Sequence, residues 1–213
     1  MKISVLGATG MAGSAIVTEA ARRGHTITAV SRRASPTAQD QRVSPVRLDL
    51  TGTGEVEPAL AGCDAAVLTV RFNPGEHEQL APVTARVLDA AAQTGTRVLV
   101  VGGSAPLSSP SDPDRLLIDD PVYVPAQWRS IAQASLEQFD ACRRHAHRDW
   151  VYLSPPAVLE PGARTGSYRR GTSRLLTGTD GRSQISTADL AIAAVDELEH
   201  PGTDQHFTVA EAG

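Results

Sequence analysis

With 213 residues, 41% of them hydrophobic and only 4% aromatic, the chain has the size of one globular domain and too much apolar content for disorder. Its formal net charge of −4 excludes the broad basic surface that wholesale binding to nucleic acid or anionic membrane requires. Cys63 and Cys142 have neither C-x-x-C nor metal-ligand spacing, and no stretch approaches the ~20 apolar residues of a membrane span, so a soluble, cytoplasmic protein with no metal site is expected.

Ile3 to Leu6 predicts a first strand, and Met11 to Arg23, closed by Gly24, the helix that follows it. Thr26 to Ser31 is rich in β-branched residues and predicts a second strand; Val43 to Leu48 predicts a third. A short helix over Val56 to Ala61 leads to a fourth strand at Ala65 to Val70. Glu78 to Gln93 has helical spacing, and Arg97 to Val101 is an almost wholly apolar fifth strand, as burial on both faces demands. Ala105 to Pro125 then carries five prolines and reads as a long excursion. Helix returns from Trp128 to His145 and a sixth strand runs from Trp150 to Leu153. Residues 155–183, rich in Gly, Arg, Thr and Ser, read as irregular; a last helix spans Ala188 to Leu198 and a last strand His206 to Val209.

Strands alternating with helices imply βαβ units. The expected fold is α/β: a doubly wound Rossmann fold, residues 1–213 as a single domain, with a mostly parallel sheet flanked by helices on both faces. Segments 105–125 and 155–183 are too long for simple connectors. They are expected over the carboxyl ends of the strands, where open α/β sheets bind ligands, as the walls of an acceptor site.

The strongest motif is Gly7-Ala8-Thr9-Gly10-Met11-Ala12-Gly13, between the first strand and its helix. Gly7 permits the turn out of the strand, Gly10 lets backbone N–H groups approach a pyrophosphate, and Gly13 lets the helix sit close to the sheet. The helix start adds unpaired N–H donors and partial positive charge. At the end of the second strand, where an NAD site carries an acid, stand Ser31, Arg32 and Arg33. Ser31 can donate to a 2′-phosphate, and one of the two arginines, with Arg32 favoured, can pair with it. NADP(H) is therefore the expected cofactor and NAD(H) the alternative. Asp49 and Leu50 are placed to touch the adenine edge.

Gly7 to Gly13, Ser31-Arg32, Asp49-Leu50, Val100-Val101-Gly102-Gly103-Ser104 and Leu153-Ser154-Pro155-Pro156 together resemble an atypical short-chain dehydrogenase/reductase. Leu159 to Tyr168 and Ile185 to Ala191 sharpen the resemblance to the NAD(P)H-binding group named NADH-flavin reductases, relatives of the mammalian flavin and biliverdin reductase. The resemblance spans essentially the whole chain. It implies a cofactor set completed by Val70 and Arg71 after the fourth strand, Gly102 and Gly103 after the fifth, and Pro155 and Pro156, which would hold backbone against the nicotinamide. Members of the wider superfamily use a Tyr-x-x-x-Lys pair. Here Tyr123, Tyr152 and Tyr168 are followed at that spacing by Gln127, Pro156 and Thr172, so carbonyl chemistry of that type is disfavoured.

Hydride transfer to a ring that already accepts electrons does not need the pair. The expected function is an NADPH-dependent oxidoreductase acting on a flat conjugated acceptor, a flavin such as FMN or a quinone, bound as substrate by a monomer or homodimer. Ser104 is the candidate catalytic hydroxyl, bonding substrate or carboxamide; a serine there also suits a turn cap before Pro106. His77, His145 and His147 are weaker candidates for general acids. Arg169, Arg170 and Arg174 either attract a phosphate or form a solvated basic loop. Two alternatives stand beside the reductase: a redox-sensing NADP(H)-binding regulator without turnover, and a tailoring reductase or isomerase of an aromatic natural product.

Overall fold

A computed structural model describes residues 1–33 and 40–212. In chain order the elements are β1 (Lys2–Leu6), α1 (Met11–Arg22), β2 (Thr26–Ser31), β3 (Val43–Arg47), α2 (Glu57–Leu60), β4 (Ala65–Leu68), α3 (Leu80–Thr94), β5 (Arg97–Val101), α4 (Arg129–Arg144), β6 (Trp150–Ser154), β7 (Val158–Glu160), β8 (Tyr168–Gly171), β9 (Gln184–Ser186), α5 (Thr187–Glu199) and β10 (His206–Glu211). Eight strands form one sheet in the order β3-β2-β1-β4-β5-β6-β10-β8. Every neighbouring pair is parallel except β10 and β8. The order reverses at β1, and the gap between the ends of β1 and β4 is the place where such sheets bind ligands.

The alternation of side chains along each central strand sorts them into two cores. Ile3, Val5, Val67, Leu99, Val151, Leu153 and Phe207 point to the face covered by α1 and α5. Leu6, Val30, Ala66, Leu68, Val98, Val100 and Tyr152 point to the opposite face, against α2, α3 and α4. Burying each such aliphatic side chain stabilises the fold by about 1.5–3 kcal/mol, so both faces of the sheet are strongly specified. The doubly wound reading holds. No helix among the described residues is long and apolar enough to cross a membrane.

The 155–183 segment differs from its irregular expectation. Tyr168 to Gly171 forms β8, antiparallel to β10 and closing the sheet edge, while β7 pairs with β9. The part that remains a loop joins the other long segment. Ala105, Leu107, Leu117, Ile118, Val124 and Leu175 make a third small core. Ser108 N–H donates to Ser173 O at 2.8 Å, and Leu175 N–H donates to Ser108 O at 3.0 Å. The two long segments thus form one structure beyond the strand ends.

Buried charges fasten its periphery. The Glu197 carboxylate, wholly enclosed, receives Arg97 and Arg170, each at 2.9 Å, and Arg170 lies 3.8 Å above the Phe207 ring. Glu19 on α1 receives Arg22, Arg23 and Arg164; burial alone would raise its carboxyl, but these three guanidinium groups hold it well below the usual carboxylate range.

Candidate dinucleotide-binding site

The loop after β1 turns where it must. Gly7 has φ +95°, and a Cβ there would stand 2.5 Å from the carbonyl oxygen of Thr69, just past β4. A Cβ on Gly13 would stand 2.2 Å from Gly7 O. Both glycines are required by protein packing alone. Gly10 is different: its φ of −73° and ψ of 169° suit any residue, and a Cβ would meet only Gly7 O at 3.3 Å and Thr69 O at 3.9 Å. Its missing side chain opens space outward. Helix α1 begins there with no side-chain cap and no acid in its first turn. The N–H groups of Met11, Ala12 and Gly13 therefore lack helical acceptors at the positive end of the helix dipole. An exposed glycine at the helix start, beside N–H groups with no acceptor among the described residues, fits a dinucleotide pyrophosphate. Ala8 is buried, while Thr9 and Met11 are exposed at the rim.

At the end of β2 the outcome is mixed. The Ser31 hydroxyl donates to Arg33 O at 2.6 Å, so its proton serves the turn and only its lone pairs face outward. Arg32 is exposed, and residues 34–39 of the adjoining loop lie outside the described residues. Asp49 accepts from Thr51 N–H at 3.0 Å and Thr51 Oγ1 at 2.8 Å; those bonds, with a smaller contribution from the Arg32 charge, hold its carboxyl below the ordinary range. Leu50 is buried, and its carbonyl accepts Arg86 Nη1 at 2.6 Å. Arg86, on α3, also donates to Gly52 O and Gly54 O at 2.7 and 2.9 Å, fixing the loop that carries Asp49. Sequence reasoning missed Arg86 because one arginine on an amphipathic helix gives no signal of what it reaches.

At the other end of the cleft, β4 stops at Leu68, leaving Val70 half-buried and Arg71 exposed in the loop beyond. Gly102 and Gly103 have a structural reason of their own. A Cβ on Gly102 would lie 1.8 Å from Tyr152 Oη, and one on Gly103 would lie 2.8 Å from the Ser135 side chain. Tyr152 is fully buried, with its hydroxyl 3.0 Å from Ser135 O and 3.2 Å from Gln138 Oε1; burial pushes its phenol far above the usual range. Ser104 is half-buried, its carbonyl accepts Leu107 N–H at 2.9 Å, and its hydroxyl has no hydrogen-bond partner among the described residues. Pro155 and Pro156, directly after β6, are buried.

Two residues absent from the expected set underlie this end. Ser154 Oγ donates to Gly103 O at 2.9 Å and lies 2.9 Å from His206 Nε2. Burial pushes the His206 imidazole down to about 4.

The remaining candidates lie elsewhere or are occupied. Arg169 donates to Glu211 O and Thr177 O, Arg170 pairs with Glu197, and Arg174 donates to Pro110 O, so these arginines brace the fold while Arg170 and Arg174 stay exposed. His145 sits 3.1 Å from Asp89 near the carboxyl end of α4, and His147 follows it before β6, at the far end of the sheet. His77 opens a short 3₁₀ turn ahead of α3. Among the described residues no cluster of His, Cys, Asp and Glu is arranged to hold a metal.

Sheet order, glycine loop and switch-point cleft define a Rossmann fold of the dinucleotide-binding kind. Residues 7–201 match the NAD(P)H-binding family, and the chain belongs to it. The chain is similar over 98% of both sequences to YwnB of Bacillus subtilis, an uncharacterized protein, at 36% identity. Among solved structures it resembles a Streptococcus pneumoniae protein provisionally named an NADH-flavin reductase, with TM-score 0.88, 31% identity and 99% of each chain covered. It also resembles a Bacteroides thetaiotaomicron protein provisionally named an epimerase, with TM-score 0.88, 32% identity, and 100% and 97% covered. A Veillonella parvula short-chain dehydrogenase/reductase in complex with NADP shares the fold at TM-score 0.77 and 14% identity, with 100% and 95% covered. These findings place the chain among NAD(P)H-binding proteins.

Proposed function

We propose that the protein is an NADPH-dependent reductase that delivers hydride to a flat conjugated small molecule, a flavin or a quinone, held as substrate. The observation that carries the acceptor class is where the chain keeps its tyrosines and its single lysine. Lys2 opens β1 at the amino end of the sheet, where its Nζ reaches Ala61 O, opposite the cleft. Tyr152 is sealed beneath Gly102, and Tyr168 donates to Asp196 at 2.8 Å. Tyr123 sits half-buried against the third core. The single lysine lies at the opposite end of the sheet from the cleft, which supports an acceptor that needs no tyrosine–lysine proton donor.

When bound, the reduced nicotinamide supplies the hydride. The protein's part is placement. The Gly7–Gly13 loop and the start of α1 would hold the pyrophosphate, Arg32 the 2′-phosphate, and Asp49 with the Leu50 backbone the adenine edge. Val70, Arg71, Gly102, Gly103, Pro155 and Pro156 would bound the nicotinamide end, and Ser104 would offer one neutral hydrogen bond to acceptor or carboxamide. A conjugated acceptor spreads the charge that arrives with hydride and takes its proton from water. The name of the Streptococcus pneumoniae relative supports this reading.

The test is an acceptor screen with NADPH beside NADH, using FMN, riboflavin, a naphthoquinone and an aliphatic ketone. Turnover with a flavin or quinone and little with the ketone is expected. Efficient ketone reduction that collapses in Tyr123→Phe would overturn the mechanism. Tight NADPH binding with no turnover on any acceptor would favour a non-catalytic NADP(H)-binding regulator.

A further inference from the structure

We infer that Ser154 and His206 are positioning residues that set the Gly103–Ser104 peptide, and with it the Ser104 hydroxyl and N–H, against the reacting end of the cleft; the catalytic half of this inference rests on the reductase reading above.

The Gly103 residue is held from both sides. Its N–H donates to Tyr152 Oη at 3.3 Å, and its C=O accepts Ser154 Oγ at 2.9 Å. A carbonyl carries no hydrogen, so the single Ser154 proton is committed to Gly103 O. His206 Nε2, 2.9 Å from the same Oγ, must then carry the hydrogen between them. The result is a one-way chain of donors: His206 Nε2–H to Ser154 Oγ–H to Gly103 C=O. That carbonyl belongs to the peptide whose N–H is Ser104's, and hydrogen bonds in series polarise one another. The enclosed imidazole stays neutral, so the chain orders and polarises the peptide without placing a charge beneath it.

Strand register builds the arrangement. In the β10–β6 ladder His206 stands opposite Tyr152 and Thr208 opposite Ser154, and the His206 ring is wedged 4.5 Å from Phe139 and 5.7 Å from Tyr152. This sheet also buries hydroxyls with no such wiring. Ser4 Oγ and Thr208 Oγ1 are enclosed with no hydrogen-bond partner among the described residues, and Thr208 is Ser154's own ladder partner. Burial of a small hydroxyl therefore does not by itself explain Ser154, which alone of the three reaches the loop bearing Ser104.

The experiment compares Ser154→Ala, His206→Phe (a ring without the donor) and His206→Gln (a donor without the ring). It reads kcat and KM for the best acceptor, NADPH Kd by titration, and the Ser104 amide by ¹H–¹⁵N NMR. Ser154→Ala and His206→Phe are expected to lower kcat by about tenfold, the effect of one or two neutral hydrogen bonds, and to keep NADPH Kd within about twofold. Both should move the Ser104 amide resonance and speed its hydrogen exchange, and His206→Gln should restore both readouts. A folded Ser154→Ala with an unmoved Ser104 amide overturns the inference, whatever its kcat; so does a loss that tracks thermal stability and NADPH affinity equally in His206→Phe and His206→Gln. If Ser154→Ala does not fold, the His206 pair decides by the same criteria. If the wild type turns over no acceptor, the reductase reading fails on its own, and the Ser104 amide alone decides whether the chain of donors positions that peptide.

Discussion

Two rows of glycine border the cleft, for opposite reasons. At the turn from β1 into α1, the place of the missing Gly10 side chain is crowded only by backbone, with Gly7 O at 3.3 Å. At the reacting end, the places of the missing Gly102 and Gly103 side chains are filled by Tyr152 and Ser135 from below. In the first row Gly10 alone leaves room facing outward, while Gly7 and Gly13 give way to the chain's own backbone; the second row makes room for the chain itself. A glycine therefore points to a ligand only when no protein atom occupies the position its Cβ would take.

The largest expected effects break that contrast directly. Gly102→Ala should destabilise the fold by more than about 3 kcal/mol or yield no folded protein, since fully buried Tyr152 has nowhere to retreat; urea denaturation measures this. A stable Gly102→Ala would show that the second row is also open. Gly10→Val should keep its denaturation free energy within about 1 kcal/mol of wild type while losing at least about a hundredfold in NADPH affinity. Retained affinity in a fluorescence titration would reduce the loop to a turn.

Smaller effects sharpen it. Arg32→Ala should weaken NADPH by about 1–3 kcal/mol and leave NADH nearly unchanged, because only the former carries the 2′-phosphate. Equal losses for both cofactors would move the 2′-phosphate contact elsewhere, with Arg33 next to be tested. His206 adds a pH signature. Its folded value of about 4 lies below the ordinary 6.5, so the unfolded chain binds the proton first as pH falls. Its contribution to stability is complete above pH 6.5 and is lost progressively toward pH 4, with a slope below about 1.4 kcal/mol per pH unit. His206→Phe should flatten that part of the stability profile, and an unchanged slope in denaturation between pH 6.5 and 4.5 would count against the shift. Smallest of all, Ser104→Ala should lower kcat by roughly tenfold or less, as one neutral hydrogen bond implies. A loss of several hundredfold in steady-state kinetics would make Ser104 a proton donor.

What was legible in the sequence was whatever local pattern encodes. Apolar runs such as Arg97 to Val101, buried on both faces, announced the doubly wound sheet, and three glycines at fixed spacing announced the tight turn from β1 into α1. What stayed hidden depends on partners far along the chain. Tyr168-Arg169-Arg170-Gly171 does not look like a strand; it becomes one because β10 offers an open edge and Glu197 draws Arg170 inward. The bond from the Ser31 hydroxyl to Arg33 O depends on how the turn after β2 folds, which residue types alone do not show. Ser154 and His206 are 52 residues apart, and nothing in either segment names the other.

The crossing of the two long segments has a kinetic consequence. Leu175 lies within the cluster around Leu107 and Leu117, and Ser108 is bonded on both sides of Arg174, to Ser173 and Leu175. Neither segment can swing away without tearing the other's backbone bonds and wetting a shared core, so the pair should unfold locally as one cooperative unit. The amides of Ser108 and Leu175 would then exchange with solvent at a common rate, and passage of a bulky molecule beneath this strap would be an all-or-none event.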